Sequence, residues 1–321
     1  MRILLTARAF ERYWTEVLAV EPDAEAVLLD ADGTFHLGDP LTAEVAWVTS
    51  DVYHDGSTRK FFGTAVHSPA LRWFQSAAAG SDAPVFARLA ARGVRITSAH
   101  VNAIPIAEYV VRAAIDHVHG AGRWREAARE ARWESGPHRE VHGTTWTVVG
   151  FGAIGREVAS RAAAFGVTVR GVRRRARPEA NVALMLTPDR LPAALEGADV
   201  VVLCTPLDAS TVGMADDRFF SAMAPGSLFV NVGRGALVDE AALGRALDRG
   251  APAAATLDVF AQEPLPPDHP FWGHGRVTVT PHVAGSGSGN DDRLAGLFCA
   301  NLAAFRRGDP LAHEVDPATL S

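Results

Sequence analysis

Residues 144–166, TTWTVVGFGAIGREVASRAAAFG, constrain this chain more than any other stretch. A β-branched and aromatic run, Thr145 to Val149, meets glycines spaced G-x-G-x-x-G at Gly150, Gly152 and Gly155, and an alanine-rich helical stretch follows at once. Alone, that spacing is weak. Set between a strand and a helix, with a second strand at Val167 to Val172, it prescribes a βαβ unit that receives a dinucleotide. Gly150 permits the tight turn, Gly152 lets backbone N–H groups approach a pyrophosphate at the helix N-terminus, and Gly155 lets helix and strand pack closely. Phe151, Ala153 and Ile154 complete the predicted loop.

The rest of the chain keeps the same rhythm. Short apolar runs alternate with alanine-rich helical stretches, the signature of parallel sheets covered on both faces. After Thr144 the predicted strands are Thr145 to Val149, Val167 to Val172, Val200 to Cys204, Leu228 to Val232, Ala254 to Val259 and Val277 to Thr280. Before it they are Arg2 to Leu5, Ala26 to Leu29, Val45 to Thr49, Leu71 to Gln75 and Val94 to Thr97. A long helix opens near Pro105, and Gly120 to Glu140, with Trp124 and Trp133, reads as an exposed arm or linker helix whose tryptophans suit packing on another surface such as a second subunit. Ser286 to Asn290 is a short joint before a last helix, Asp291 to Arg307. The expected architecture is α/β, with two doubly wound parallel-sheet domains, Rossmann-like and flavodoxin-like. The first comprises 1–110 plus 287–321 and the second 111–286.

The residues after the second strand bear on which dinucleotide is bound. An NAD site usually carries Asp or Glu about 20 residues past the first glycine, on the ribose 2′-hydroxyl. Here the chain reads Val169-Arg170-Gly171-Val172-Arg173-Arg174-Arg175-Ala176-Arg177. Guanidinium groups suit a 2′-phosphate, so NADP(H) is expected to be preferred to NAD(H), with Arg173 and Arg174 as its contacts. A solvated basic turn is the bland alternative.

Three chemically distinct side chains follow later strands. Arg234 stands between Gly233 and Gly235, Glu263 follows Leu257 to Gln262, and His282 follows Thr280-Pro281. A guanidinium stays charged and is costly to bury without an anion beside it, so the two glycines are expected to bring Arg234 close to a negative ligand. Ligands of open α/β sheets bind beyond the carboxyl ends of the strands, where these three can converge. Guanidinium, carboxylate and imidazole together suit reduction of a 2-keto acid by hydride. His100, His117, His119 and His142 have no such setting and read as surface or packing residues.

Taken in order, Gly150 to Gly155, Val230 to Gly235, Leu257 to Phe260 with Glu263-Pro264, and Thr280 to Gly285 resemble the successive motifs of the D-isomer-specific 2-hydroxyacid dehydrogenases. Leu71 to Gln75 leading to Ala79-Gly80, and Ile106 to Tyr109, extend the resemblance over most of the chain. It implies an active-site cleft between the two domains, a 2-keto or 2-hydroxy acid as substrate, and a homodimer formed through the cofactor domains. By the same resemblance Arg234 holds and polarises the substrate, His282 exchanges the proton and Glu263 pairs with His282. Ala79 and Gly80 hold the other carboxylate oxygen. Thr205 and Pro206 line the adenine side of the cofactor or form only a strand-terminating turn, Asp258 meets the nicotinamide amide unless it is a structural hydrogen-bonding residue, and Val232, Gly233 and Gly285 also fall to the cofactor. Glutamate at 263 argues against the formate dehydrogenase branch, where glutamine is expected. The chain ends soon after His282, which disfavours an appended regulatory domain. The segment from Asp51 to Val66, with Tyr53, His54, Phe61 and Phe62, is where a cleft wall is expected to vary. A glyoxylate, hydroxypyruvate or bulkier 2-keto acid reductase fits best.

Composition sets the outer bounds. With 321 residues, 48% hydrophobic and 21% charged, the chain is long enough for two globular domains and too apolar to be disordered. A net charge of −6 gives no overall attraction to nucleic acid or anionic membrane. No apolar run approaches the roughly 18 residues of a membrane span, so a cytoplasmic protein is expected. Two cysteines far apart, Cys204 and Cys299, indicate neither disulfides nor a metal site, and Lys60 is the sole lysine. Two other readings stay open: a dinucleotide-sensing corepressor or scaffold without turnover, and a methyltransferase using S-adenosylmethionine, which leaves the arginine, glutamate and histidine unexplained.

Overall fold

A computed structural model describes every residue except Asp55, Ala79, Ser81, Asp82 and Ser321. The chain divides into two compact units, Met1–Asn102 with Ser288–Ser321, and Ala103–Gly287.

The first unit is built on a six-stranded sheet: β1 (Arg2–Thr6), β2 (Glu25–Leu29), β3 (Phe35–Leu37), β4 (Val45–Trp47), β5 (Trp73–Gln75) and β6 (Arg95–Thr97). Their order is β3-β2-β1-β4-β5-β6, parallel throughout except for the short antiparallel edge strand β3. Without β3 this is the flavodoxin-like winding. Helices α1 (Ala7–Val20), α2 (Asp51–His54), α3 (Thr58–His67) and α4 (Pro84–Ala90) lie between the strands, and α11 (Asn290–Arg307) returns from the far end of the chain. Because strand side chains alternate between faces, Leu4 joins Phe61, Phe74 and Phe86 in one core. Ile3 and Leu5 join Trp47, Trp73 and Phe298 in the other. Phe61 is thus a core residue and not a wall of any site, and Phe62 packs on Phe74 and Phe86.

The second unit carries seven parallel strands: β7 (Thr145–Val149), β8 (Thr168–Val172), β9 (Leu184–Leu186), β10 (Val200–Leu203), β11 (Leu228–Asn231), β12 (Ala254–Leu257) and β13 (Val277–Val279). The order β13-β12-β11-β10-β7-β8-β9 is the winding of dinucleotide-binding sheets, with its reversal between β7 and β10. Helices α5 (Ala103–Val118), α6 (Ala121–Arg129), α7 (Ala153–Ala163), α8 (Leu191–Leu195), α9 (Asp217–Ser221) and α10 (Glu240–Arg249) complete it. All four residues of β10 are buried, as expected of a central strand covered on both faces. Val201 and Phe229 face one core, while Val200, Val202 and Val230 face the other.

Helix α5 marks where the two units divide. Its apolar stripe, Ile106, Ala107, Val110, Ala113, Ala114 and Val118, is buried in one cluster with Val158, Ala159 and Ala162 of α7. Residues 103–110 therefore belong to the second unit, eight positions ahead of the boundary expected from sequence, because helical spacing commits them to α7. Beyond α6, residues 130–140 are all exposed, and Trp133 is 97% exposed.

Candidate active site

Five loops at the carboxyl ends of β7, β10, β11, β12 and β13 carry most of the residues singled out by the sequence; Arg173 and Arg174 follow β8, and Gly80 lies in the first unit. All five belong to the second unit.

At the β7 end, Gly150 has a φ of +94°, and a Cβ there would fall 2.4 Å from the backbone nitrogen of Thr205. Glycine is required because the loop after β10 lies directly against the turn, across the point where the sheet reverses. A Cβ on Gly155 would press on Phe151 and Val148 at 3.1 to 3.2 Å, so helix α7 can sit this close to β7 only without one. Gly152 has open space on its Cβ side, caps α7 and offers no side-chain acceptor. By helix geometry the first N–H groups of α7 lack intrahelical partners, and with the dipole they form an anion site. Phe151 differs from its expected place: its ring is buried in the core and its N–H donates to Val172 O at 3.0 Å.

The β10 loop adds an independent sign. Thr205 Oγ1 is buried without a hydrogen-bond partner among the described residues, an arrangement that costs free energy unless a ligand supplies the partner. Open backbone beside Gly152 and an orphan hydroxyl across the turn fit a dinucleotide. Pro206, exposed, gives its carbonyl to Thr211 Oγ1 at 2.9 Å. Cys204 just before it is not reactive: burial pushes its thiol up to about 12, and Sγ donates to Gly150 O.

After β11 the chain turns through Gly233, Arg234 and Gly235, and a residue not foreseen from sequence holds that turn. Asn231, 1% exposed, accepts from Gly233 N–H at 3.0 Å and donates to Arg234 O at 3.1 Å. A carboxamide ending an otherwise apolar strand was the available signal. The flanking glycines have a different role from the one expected. A Cβ on Gly235 would fall 1.8 Å from the carbonyl carbon of Phe260, and one on Gly233 would meet Leu237 and the carbonyl of Thr205. The glycines admit neighbouring backbone, and in doing so they seat Arg234 beside the β12 loop. Arg234 is half-buried and donates to Gly233 O at 2.9 Å. Val232 is buried, its N–H given to Leu203 O.

The β12 loop holds Glu263 from two sides. Glu263 Oε1 accepts from Phe260 N–H at 3.0 Å, which turns Oε2 to His282 Nδ1 at 2.8 Å. Glu240, at the start of α10, accepts from Ala261 N–H at 3.0 Å and steadies the same loop. A carboxylate at Nδ1 favours a proton on that nitrogen, leaving Nε2 as the ring atom that exchanges one with a ligand.

His282 itself sits in the left-handed region at a φ of +55°, unusual for a residue with a side chain. Asp258 holds it there. This carboxylate, 2% exposed, accepts from Thr280 Oγ1 at 2.6 Å, Val283 N–H at 2.9 Å and Ala284 N–H at 2.9 Å. Its own carbonyl accepts from His282 N–H at 2.9 Å. Of the two roles expected for Asp258, the geometry matches the structural one. Tyr109 Oη meets Thr280 Oγ1 at 2.7 Å, extending the network to α5, and burial holds that phenol above its ordinary range. Gly285 follows, half-buried.

Beyond β8, Arg173 Nη1 donates to Glu179 at 2.6 Å, and Arg174 is exposed. The charge of Arg174 reaches Asp208, whose carboxyl is held low chiefly by hydrogen bonds from Ser210. Gly80 is half-buried in the first unit, and Ala79 lies outside the described residues.

These loops define a class: a dinucleotide-binding α/β unit that carries an imidazole–carboxylate pair and an arginine beyond adjacent strand ends. The family model for the NAD-binding domain of D-isomer specific 2-hydroxyacid dehydrogenases matches residues 111–284, and the chain belongs to that family. A glyoxylate/hydroxypyruvate reductase A of Serratia proteamaculans is 37% identical over 182 residues, 56% of each chain, so the match spans little more than half of that relative. A glyoxylate reductase of Pyrococcus furiosus is 31% identical over 257 residues, 76% of this chain and 75% of that one. The solved structure of a D-isomer specific 2-hydroxyacid dehydrogenase from Xanthobacter autotrophicus Py2, in complex with NADPH and MES, is 29% identical. It superposes with a TM-score of 0.79 over 99% of this chain and 98% of that chain.

Proposed function

We propose that this chain is an NADP(H)-preferring reductase of small 2-keto acids, of the glyoxylate and hydroxypyruvate type. The observation that carries the reading is the Glu263–His282 pair at 2.8 Å, set at adjacent strand ends with Arg234. The names of the Serratia and Pyrococcus relatives and the NADPH in the Xanthobacter structure support it.

When bound, the nicotinamide cofactor supplies the hydride. Arg234 takes the substrate carboxylate and draws electron density from the adjacent carbonyl. His282 Nε2 gives its proton to the keto oxygen as C2 is reduced, and Glu263 fixes the ring through Nδ1. In the reverse direction the same imidazole removes the hydroxyl proton. Thr205, the α7 N-terminus and the 150–155 loop hold the dinucleotide, with Arg173 and Arg174 at its 2′-phosphate. We place the protein in the cytoplasm as a homodimer, and the exposed segment bearing Trp133 supports a contact with a second copy. No helix among the described residues is long and apolar enough to cross a membrane.

The test is loss of NADPH absorbance with glyoxylate, hydroxypyruvate, pyruvate and phenylpyruvate, with wild type and His282→Ala side by side. Wild type should turn over at least one substrate. The variant should lose about 10²- to 10⁴-fold in kcat while keeping its cofactor affinity. Equal rates for the two proteins would remove His282 from the chemistry, and cofactor binding without turnover of any keto acid would favour a sensor.

A further inference from the structure

The arginines beyond β8 already surround an anion of the chain's own. Glu179 Oε1 lies 2.6 Å from Arg173 Nη1, 2.9 Å from Arg156 Nη2 and 3.4 Å from Arg177 Nε, and Oε2 lies 3.0 Å from Arg156 Nε. Arg156 belongs to the first turns of α7, directly after the phosphate loop, and Arg173 is the first residue beyond β8. The carboxylate thus sits between the helix that receives a pyrophosphate and the neighbouring strand end, where sheets of this winding receive the ribose of a dinucleotide. Its side chain is only 14% exposed, against 46% for Arg156 and 64% for Arg177. The anion and Arg173, 22% exposed, are largely covered, and Arg156 and Arg177 face outward. Hydrogen bonds from Arg156, and then from Arg173, hold the Glu179 carboxyl down to about 2, so it is ionised under any ordinary condition.

We propose that Glu179 is an internal counter-anion that competes with the 2′-phosphate of NADP(H) for these guanidinium groups, and so sets the discrimination between NADP(H) and NAD(H). Three guanidinium charges and one carboxylate leave two positive charges, close to what a phosphate of about −1.5 to −2 neutralises. Without the carboxylate the cluster carries three. A phosphate entering it must share Arg156 and Arg173 with Glu179 or displace it, and like charges at that range repel appreciably even when partly screened. A bare ribose diol meets no such opposition. Glu179 therefore acts against the phosphorylated cofactor alone. A purely structural role, tying down the excursion between β8 and β9, would affect both cofactors in the same direction.

The inference rests on the reading of this strand end as the 2′-phosphate site, and adenosine 2′,5′-bisphosphate and 5′-ADP test the two separately. Calorimetric titration of the full chain at pH 8 keeps the phosphates ionised. Glu179→Gln should bind the bisphosphate roughly ten-fold more tightly than wild type, with a steeper salt dependence, and leave 5′-ADP unchanged. Glu179→Ser should do the same, which guards against a fault particular to glutamine, and thermal denaturation confirms that each variant is folded. Unchanged or weaker bisphosphate binding in both folded variants overturns the proposal. If wild type binds the two ligands equally and Glu179→Gln prefers the bisphosphate, the proposal stands and the NADP preference of the natural chain falls. If the double variant Arg173→Ser with Arg174→Ser binds the bisphosphate as wild type does, the 2′-phosphate site lies elsewhere and both fall.

Discussion

Gly235 shows how much one residue can decide. An added Cβ would lie 1.8 Å from the carbonyl carbon of Phe260 and 2.3 Å from the Ala261 nitrogen, both backbone atoms that no rotamer change can clear. Gly235→Ala must therefore push the β11 and β12 loops apart, an overpacking that costs roughly 1–3 kcal/mol. It should also lower kcat, since Phe260 N–H orients Glu263 and Glu263 orients His282. Thermal denaturation beside steady-state kinetics measures both effects, and a variant with unchanged melting temperature and rate would show that the loops yield. Asp258 is the second such position. Asp258→Asn keeps the shape but replaces one carboxylate oxygen by an amide donor, so either Val283 N–H, now at Oδ1, or Ala284 N–H, now at Oδ2, loses its acceptor. The substitution should cost about 1–3 kcal/mol and lower kcat with little change in dinucleotide affinity. A dinucleotide Kd raised more than kcat is lowered would instead give Asp258 a direct part in holding the nicotinamide.

Elements were legible in the sequence wherever local pattern and tertiary fate coincide. Helix α10 is an example: Asp239 accepts from Ala242 N–H at 3.0 Å as its N-cap, and Gly250 closes it in the left-handed region. Asp239→Ala should cost about 1 kcal/mol in denaturant unfolding. No loss would mean that packing alone holds the helix. Two of the four edge strands, β3 and β9, were not legible: Phe35-His36-Leu37 and Leu184-Met185-Leu186 are short and lack the β-branched residues that mark the equally short edges β6 and β13. Predicted strands also ran too far at their carboxyl ends. Val259 reads as strand by composition, yet the ladder stops at Leu257 and the chain leaves to build the β12 loop. For the candidate site, motif and order singled out Arg234, Glu263 and His282, and the fold sets them beyond adjacent strand ends. What holds them was harder to see: Thr280 and Glu240 act through hydrogen bonds to residues brought near only by the fold, and Asn231 works locally, on the turn two and three residues on. Glu179 escaped notice for a related reason: an acidic residue after a run of arginines reads as solvated until the turn encloses it.

At the scale of the whole chain, the second unit is continuous in sequence and contains both of its own cores. An isolated fragment of residues 103–287 should fold cooperatively and bind a dinucleotide by tryptophan quenching. A fragment that melts without a cooperative transition would show that it needs the remainder of the chain. The first unit has no such independence. Phe298, on α11, stacks on Trp47 at 4.2 Å between ring centres and on Trp73 at 5.1 Å, and it lies at the centre of one of that unit's two cores. On the ribosome, therefore, order of synthesis and order of folding are reversed. The amino-terminal strands emerge first but wait with one sheet face bare until α11 has been made, and the segment translated in between is the first able to reach its native state.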